Sequence, residues 1–301
     1  MRRRQFMLGL GGAAIAAPFP SFAQQEGRLA RVGFLGSETP SEYARNIEAL
    51  RAGLHALGYV EGKNLRIEFR WAEGKYDRLP ALAAELVGSK VDVIVTHGTP
   101  GTFAAKRATA TIPIVMASSG DAVGTGLISS LSRPDGNITG MTLLLPELSA
   151  KRLELLKLAA PGLARVGSLF NPLNPAYATD IAKTDEAAKT LKVQVQRFGA
   201  RRPQEFEAAF AAMDKARIEA VLVHQDGMIN ANPGAIANLA RKHRMLSAGF
   251  EEFGEAGGLI GYGVSFPRMY QRTATYVDKL LKGIKVRDLP VEQPTEFNLI
   301  V

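Results

Sequence analysis

Short apolar runs alternate with amphipathic stretches along the first half of the chain. Residues 30–36 form a nearly unbroken apolar run ending in Gly36, the pattern of a strand covered on both faces. In residues 43–57, Ala44, Ile47, Leu50, Leu54 and Leu57 share one helical face, and Gly58 is suited to end that helix. Residues 65–71 alternate strictly and predict a strand with one wet face. A helix is predicted over 79–87, a buried strand over 91–96, a helix over 102–109 and a further buried strand over 112–116. Small polar residues follow from Ala117 to Asp121. A short helix is predicted over 122–131, a turn at Pro134-Asp135-Gly136 and a strand over 138–145.

The alternation then starts again. Helices are predicted over 149–159, 177–191, 203–215 and 233–243, and strands over 164–170, 193–198, 220–224 and 245–250. A Gly-rich segment, 257–263, precedes a long amphipathic helix over 266–282 and a last extended segment over 291–301. Repeated βα units imply parallel sheets with helices on both faces. The fold class read from this pattern is α/β, two doubly wound parallel-sheet lobes joined by a three-segment hinge. Lobe 1 spans 29–145 and is completed by 264–290; lobe 2 spans 146–257. The hinge segments are 144–148, 257–265 and 292–297, with Gly257, Gly258, Gly261 and Gly263 absorbing the backbone change of closure.

The N-terminus changes the reading of charge. Arg3-Arg4-Gln5-Phe6-Met7, a Gly/Ala-rich apolar stretch and Ser21-Phe22-Ala23 have the layout of a twin-arginine export signal over 1–23. That segment holds three arginines and no acid, so the formal charge of +8 falls to +5 in the remainder. The remaining charges are dispersed. The densest basic spots, Arg201-Arg202 and Arg241 to Arg244, read as solvated helix faces and not as a nucleic-acid surface. No apolar run reaches the length of a membrane span. Cysteine is absent, which removes disulfides and a lipid-anchored cysteine after the signal. The expectation is a soluble, periplasmic monomer.

In open α/β sheets ligands bind beyond the carboxyl ends of the strands. The candidates there are Ser37, Glu38, Gly98, Thr99, Ser118, Ser119, Asp121, Asn171, Asn174 and Asp226. Gly98, Thr99, Ser118 and Ser119 offer neutral donors to a carboxylate, or alternatively cap helices. Asp121 and Asp226, one per lobe, offer acceptors to an ammonium. Tyr43, Tyr177, Phe250 and Tyr262 offer a sleeve for a flat apolar group. His97 and His224 also stand at strand ends. Enzyme readings lack support: there is no G-x-S-x-G elbow, no metal-ligand spacing among the four histidines and no phosphate loop. No catalytic residue, metal or cofactor is called for.

Several segments carry a family resemblance. They are Gly58-Tyr59-Val60-Glu61-Gly62-Lys63-Asn64, Arg70-Trp71-Ala72-Glu73-Gly74, Val91 to Val95, Ile112 to Val115, Arg133-Pro134-Asp135-Gly136-Asn137-Ile138-Thr139-Gly140, Lys151 to Lys157 and Leu281-Lys282-Gly283. Together they resemble the tryptophan-binding-type substrate-binding proteins of ABC importers, over nearly all of residues 29–301. Ala122 departs from the proline that many members carry after the aspartate. The resemblance implies a type I periplasmic binding protein fold, a small-molecule ligand, ABC permease subunits as partners and, among ligands, an aromatic or large apolar amino acid. A periplasmic sensory protein of the same fold, signalling to a membrane kinase, is the alternative. A two-domain glycosyltransferase-like enzyme is disfavoured by the missing nucleotide motifs.

Overall fold

A computed structural model describes residues 29–301; the predicted export signal lies outside the described residues. The first lobe runs β1 (Ala30–Gly36), α1 (Ala44–Ala56), β2 (Leu65–Trp71), α2 (Leu79–Gly88), β3 (Val93–His97), α3 (Gly98–Ala108), β4 (Ile114–Ser118) and β5 (Ile138–Gly140). Its five strands are all parallel, in the order β2-β1-β3-β4-β5. Strand order therefore reverses between β1 and β3, which opens a crevice beyond their carboxyl ends.

The second lobe runs α4 (Leu145–Ala159), β6 (Arg165–Phe170), α5 (Tyr177–Leu191), β7 (Gln194–Gly199), α6 (Phe206–Lys215), β8 (Ala220–Val223), α7 (Gly227–Asn230), α8 (Pro233–Lys242), β9 (Leu246–Gly249), α9 (Glu251–Glu255) and β10 (Ile260–Gly263). The chain returns to the first lobe as α10 (Phe266–Leu281) and ends in β11 (Asn298–Ile300), antiparallel to β10. Sheet order is β11-β10-β9-β8-β6-β7, so the reversal here lies between β6 and β8. The two reversal points face each other.

Each sheet is covered on both faces. In the first lobe Val32, Phe34, Val93 and Val95 pack toward α1 and α10, while Leu35, Ile94, Ile114 and Met116 pack toward α2 and α3. This two-sided burial is why β1, β3 and β4 read as continuous apolar runs. Gly53 lets α10 come close to α1: a Cβ there would lie 2.8 Å from the Gln271 carbonyl oxygen and the Ala274 Cβ. The second lobe has the same two layers, one around Phe210, Val221, Ile236 and Phe253, the other around Leu153, Leu156, Val166 and Leu222.

The structure corrects several predicted elements. Residues 122–131 form turns instead of a helix. Side chains bond the backbone there in place of a helical ladder: Ala122 N–H donates to Thr142 Oγ1, Gly124 N–H to Asp121 Oδ1, and Lys106 Nζ to the Gly126 and Leu127 carbonyls. The predicted strand over 138–145 stops at Gly140, whose φ of 116° and close approach to the Met116 backbone end the ladder. α4 starts at Leu145, with Pro146 in its first turn, so residues 145–148 of the expected hinge segment are helical. α3 likewise begins at Gly98. Of the predicted last extended segment, only β11 is strand.

The chain passes between the sheets at 141–144, 264–265 and 293–297. Gly257 and Gly258 therefore sit inside the second lobe. Gly258 lies against the Phe253 ring, and Gly261 meets Gly254, where a Cβ would come within 2.7 Å of the opposing Cα. Gly258 and Gly261 serve close packing, and Gly257 takes a φ of 91° in the turn after α9.

Candidate functional site

The first lobe supplies a buried acid and an aromatic wall. β1 delivers Ser37 and Glu38 to the crevice, and a turn leads from there to α1, held by Thr39 N–H and Oγ1, which both donate to Glu42 Oε2. Glu38 is 4% exposed, and its Oε1 has no hydrogen-bond partner among the described residues. Burial, then the charges of Asp226 and Glu42, push its pKa up to about 8. Beside it, the Tyr43 ring meets His97 edge-on at 4.8 Å and Trp71 at 5.5 Å. The Tyr43 hydroxyl is also buried without a partner. His97 Nδ1 pairs with the Tyr270 hydroxyl at 2.8 Å; burial pushes its pKa down to about 3, keeping the ring neutral.

The second lobe supplies a fully bonded carboxylate. Asp226 caps α7, with Oδ1 accepting from Met228 N–H and from Asn171 Nδ2 at 2.9 Å. Its Oδ2 accepts from Asn174 Nδ2 at 3.0 Å and, across the seam between the lobes, from the Tyr76 hydroxyl at 2.9 Å. Asn171 and Asn174 are themselves held by Leu173 N–H and Ala176 N–H, which fixes their amides toward Asp226. Burial raises the pKa of Asp226 despite these bonds. Gly227 brings the backbone against the first lobe: a Cβ there would lie 3.1 Å from both Glu38 Oε1 and the Tyr76 hydroxyl.

Between the lobes remains a cavity of about 90 Å³, lined from one side by Tyr43, His97 and Phe266 and from the other by Gly227, Asn230 and Glu252. Asn230 Oδ1 and Glu252 Oε2 are buried without partners, and burial, then Glu251 and Glu255, push the Glu252 pKa up to about 7. On another stretch of the seam, Tyr76, Phe103, Pro172 and Leu173 line an apolar groove of about 440 Å³. A larger concavity, about 710 Å³, lies beside the crossings between α10 and residues 294–298. Its charged residues Arg268 and Arg272 are exposed and already paired with Glu296 and Glu292, so the interlobe seam is the better candidate.

Of the residues expected at the site, Ser37, Glu38, Tyr43, Asn171, Asn174 and Asp226 come together. The others do not join them as expected. Thr99 Oγ1 accepts from Gly120 N–H at 3.1 Å and lies 3.3 Å from Ser119 Oγ, so these groups tie one loop to the next. Ser118 is in register with His97 at the strand end, and the Gly98 carbonyl accepts from Thr102. Asp121 gives its carboxylate to the turn at Gly124 and does not line the cavity between the lobes. The aromatic sleeve is also corrected. Tyr177 stacks on Phe170 at 3.7 Å, Phe250 packs in the core beside Phe253, and Tyr262 stacks on Phe297. Only Tyr43 of the four lines the cavity.

Sequence reasoning missed Tyr76, Asn230, Glu252 and Phe266. His97, noted only as a strand-end histidine, does line the cavity, whereas His224 belongs to an internal chain. Its Nδ1 is 2.6 Å from Asp180 Oδ2 and its Nε2 2.8 Å from Ser168 Oγ. Ser149 donates to the same Asp180 oxygen. These are the residue types of a hydrolytic triad, but Ser168 and His224 are 2% and Asp180 1% exposed, with no room for a substrate. The chain braces α4 and α5 against the sheet. Among the described residues no group of three or more His, Asp or Glu side chains is placed to hold a metal.

Residues 38–301 match the model of a family described as ABC transporter substrate binding protein. The tyrosine-binding protein of Clostridioides difficile is 26% identical over 249 residues, 82% of this chain and 71% of that protein. An ABC domain from Streptococcus pneumonia, solved in complex with L-Trp, superposes with a TM-score of 0.83 at 22% identity, covering 90% of this chain and 91% of its own. A conserved domain protein from Vibrio cholerae gives 0.84 at 24% identity, covering 91% and 92%. These likenesses establish the fold, that of type I periplasmic binding proteins.

Proposed function

The chain belongs to the ABC transporter substrate binding protein family, and from that membership we propose that it is the soluble periplasmic receptor of an ABC-type importer. In this reading it closes its two lobes on a small organic ligand and presents the closed form to membrane permease subunits. The ligand carries a protonated amine and a flat apolar part, as an aromatic or large apolar amino acid does. One observation carries the ligand class: a buried carboxylate oxygen of Glu38 without a partner, beside the wall of Tyr43, His97 and Phe266. The names of the tyrosine-binding relative and the L-Trp complex support the same class.

An amine entering the open cleft meets Glu38, whose carboxylate is costly to bury unpaired. A charge-assisted hydrogen bond to it contributes about 1.5–3 kcal/mol. The apolar part then covers the aromatic wall, worth a further ~1.5–3 kcal/mol. Asp226 acts differently. With four donors already on it, it fastens the lobes through Tyr76, and the three chain crossings serve as the hinge. Calorimetry with aromatic and branched amino acids alongside simple sugars tests the assignment. Binding of a sugar and of none of the amino acids overturns the ligand class while leaving the receptor role intact.

A further inference from the structure

The interlobe cavity holds unpartnered polar atoms besides the Glu38 oxygen to which the ligand's amine is assigned. Three buried polar atoms around it have no partner among the described residues: the Tyr43 hydroxyl, Asn230 Oδ1 and Glu252 Oε2. Tyr43 is itself only 4% exposed, so its hydroxyl has no solvent to turn to. A buried acceptor without a donor is costly, and three around one small space call for a donor that the chain does not supply. The cations nearby, and Glu42 among the acids that line the cavity, are already engaged or unsuited. Arg45 lines the cavity, but its side chain is exposed and paired with Glu255. Arg152 gives Nε and Nη2 to the Tyr262 carbonyl and Gln225, and its buried Nη1 bonds none of the three acceptors. Glu42 is bonded by Thr39. The neutral ring of His97 brings no charge.

Resting on the receptor reading above, we propose that this cavity is a second subsite for a protonated amine. Glu252 and Asn230 from lobe 2, with Tyr43 from lobe 1, receive the far end of a ligand whose first ammonium sits at Glu38. Among amino acids with an apolar body, those ending in a second amine are then preferred over neutral ones. The subsite draws on both lobes, so filling it favours the closed form. Its acidic lining residues, Glu252 and Glu42, oppose a ligand that ends in a carboxylate.

The test uses calorimetry on the mature chain with three probes that differ only at the far end: L-phenylalanine, 4-(aminomethyl)-L-phenylalanine and 4-carboxy-L-phenylalanine. The aminomethyl probe is expected to bind at least about tenfold tighter than phenylalanine, and the carboxy probe more weakly than either. Glu252→Gln narrows the aminomethyl preference to within about threefold, and Asn230→Ala narrows it in part; circular dichroism verifies that both variants fold. Equal or tighter binding of phenylalanine, or an undiminished preference in Glu252→Gln, overturns the proposal. The diamine 1,5-diaminopentane separates this inference from the amino-acid reading. If it alone binds, and Glu252→Gln weakens it, the second subsite stands and the amino-acid reading falls. If none of the four probes binds, both fall.

Discussion

Tyr76 and Asp226, 150 positions apart in sequence and on opposite lobes, are joined across the seam by a 2.9 Å hydrogen bond. Tyr76 follows β2 in the first lobe, whereas Asp226 is locked to the second by Asn171, Asn174 and its own helix cap. The bond therefore reports whether the lobes are closed.

Tyr76→Phe removes this latch and keeps the ring. A hydrogen bond to a charged group contributes about 1.5–3 kcal/mol, so ligand affinity is expected to fall roughly 10- to 100-fold. Small-angle scattering of the ligand-free variant should give a larger radius of gyration than the wild type. An unchanged envelope together with unchanged affinity removes the latch role.

The buried carboxylates set a pH dependence. Glu38 and Glu252, ordinarily near 4.5, titrate at about 8 and about 7 in the closed protein, and Asp226 shifts the same way. The native state therefore holds protons that the unfolded chain has lost, and their contribution declines as pH rises toward 8. His97, ordinarily 6.5 and depressed to about 3, acts only below its unfolded value, where stability is lost as pH falls. Between 6.5 and 8 the carboxylates act alone. The Tm of the ligand-free protein is expected to drop across that window, and less steeply in Glu38→Gln. A flat or rising Tm in the wild type contradicts the shifts.

Gly261→Ala separates packing from hinge flexibility. A Cβ at Gly261 would lie 2.7 Å from the Gly254 Cα, a backbone atom that cannot step aside. Overpacking of this kind costs about 1–3 kcal/mol, and the variant should melt at a lower temperature. A hinge role predicts the opposite result, an unaltered Tm with altered closure.

Asp180→Ala removes the acceptor for His224 and for Ser149. Leaving buried polar groups unpaired costs about 1–3 kcal/mol each, so thermal stability should fall. Ligand affinity should stay near wild type, because the network lies behind the sheet ends and contributes no atom to the cavity. A large loss of affinity at full stability points instead to a direct role.

The elements most legible in the sequence were those whose burial leaves a one-dimensional pattern. β1, β3 and β8 are buried on both faces and read as apolar runs; α1 and α10 each bury one stripe. Residues 122–131 were illegible because bonds from Lys106 and Thr142, distant in sequence, decide their shape. The site divided in the same way. Glu38, Asn171 and Asp226 were found because they follow strands at the reversal of sheet order. Tyr76 and Glu252 follow β2 and β9, strands beside the reversal and not at it, where a tyrosine or glutamate reads as a surface residue until the opposite lobe covers it. The aromatic sleeve failed because packing, and not position after a strand, decides where a ring points: Phe250 turned into the core and Tyr177 onto Phe170.

The central claim is that Glu38 receives the ligand's amine as the lobes close. Calorimetry at pH 7.5 with L-tyrosine and L-tryptophan, on wild type and Glu38→Gln, tests it most directly when run in two buffers of different ionisation enthalpy. The wild type is predicted to bind at least one of them and to release protons, because the amine drives ionisation of a carboxyl that titrates at about 8 in the empty site. The variant should bind at least about tenfold more weakly and release fewer protons. Equal affinity and equal proton release in the two proteins would contradict the account.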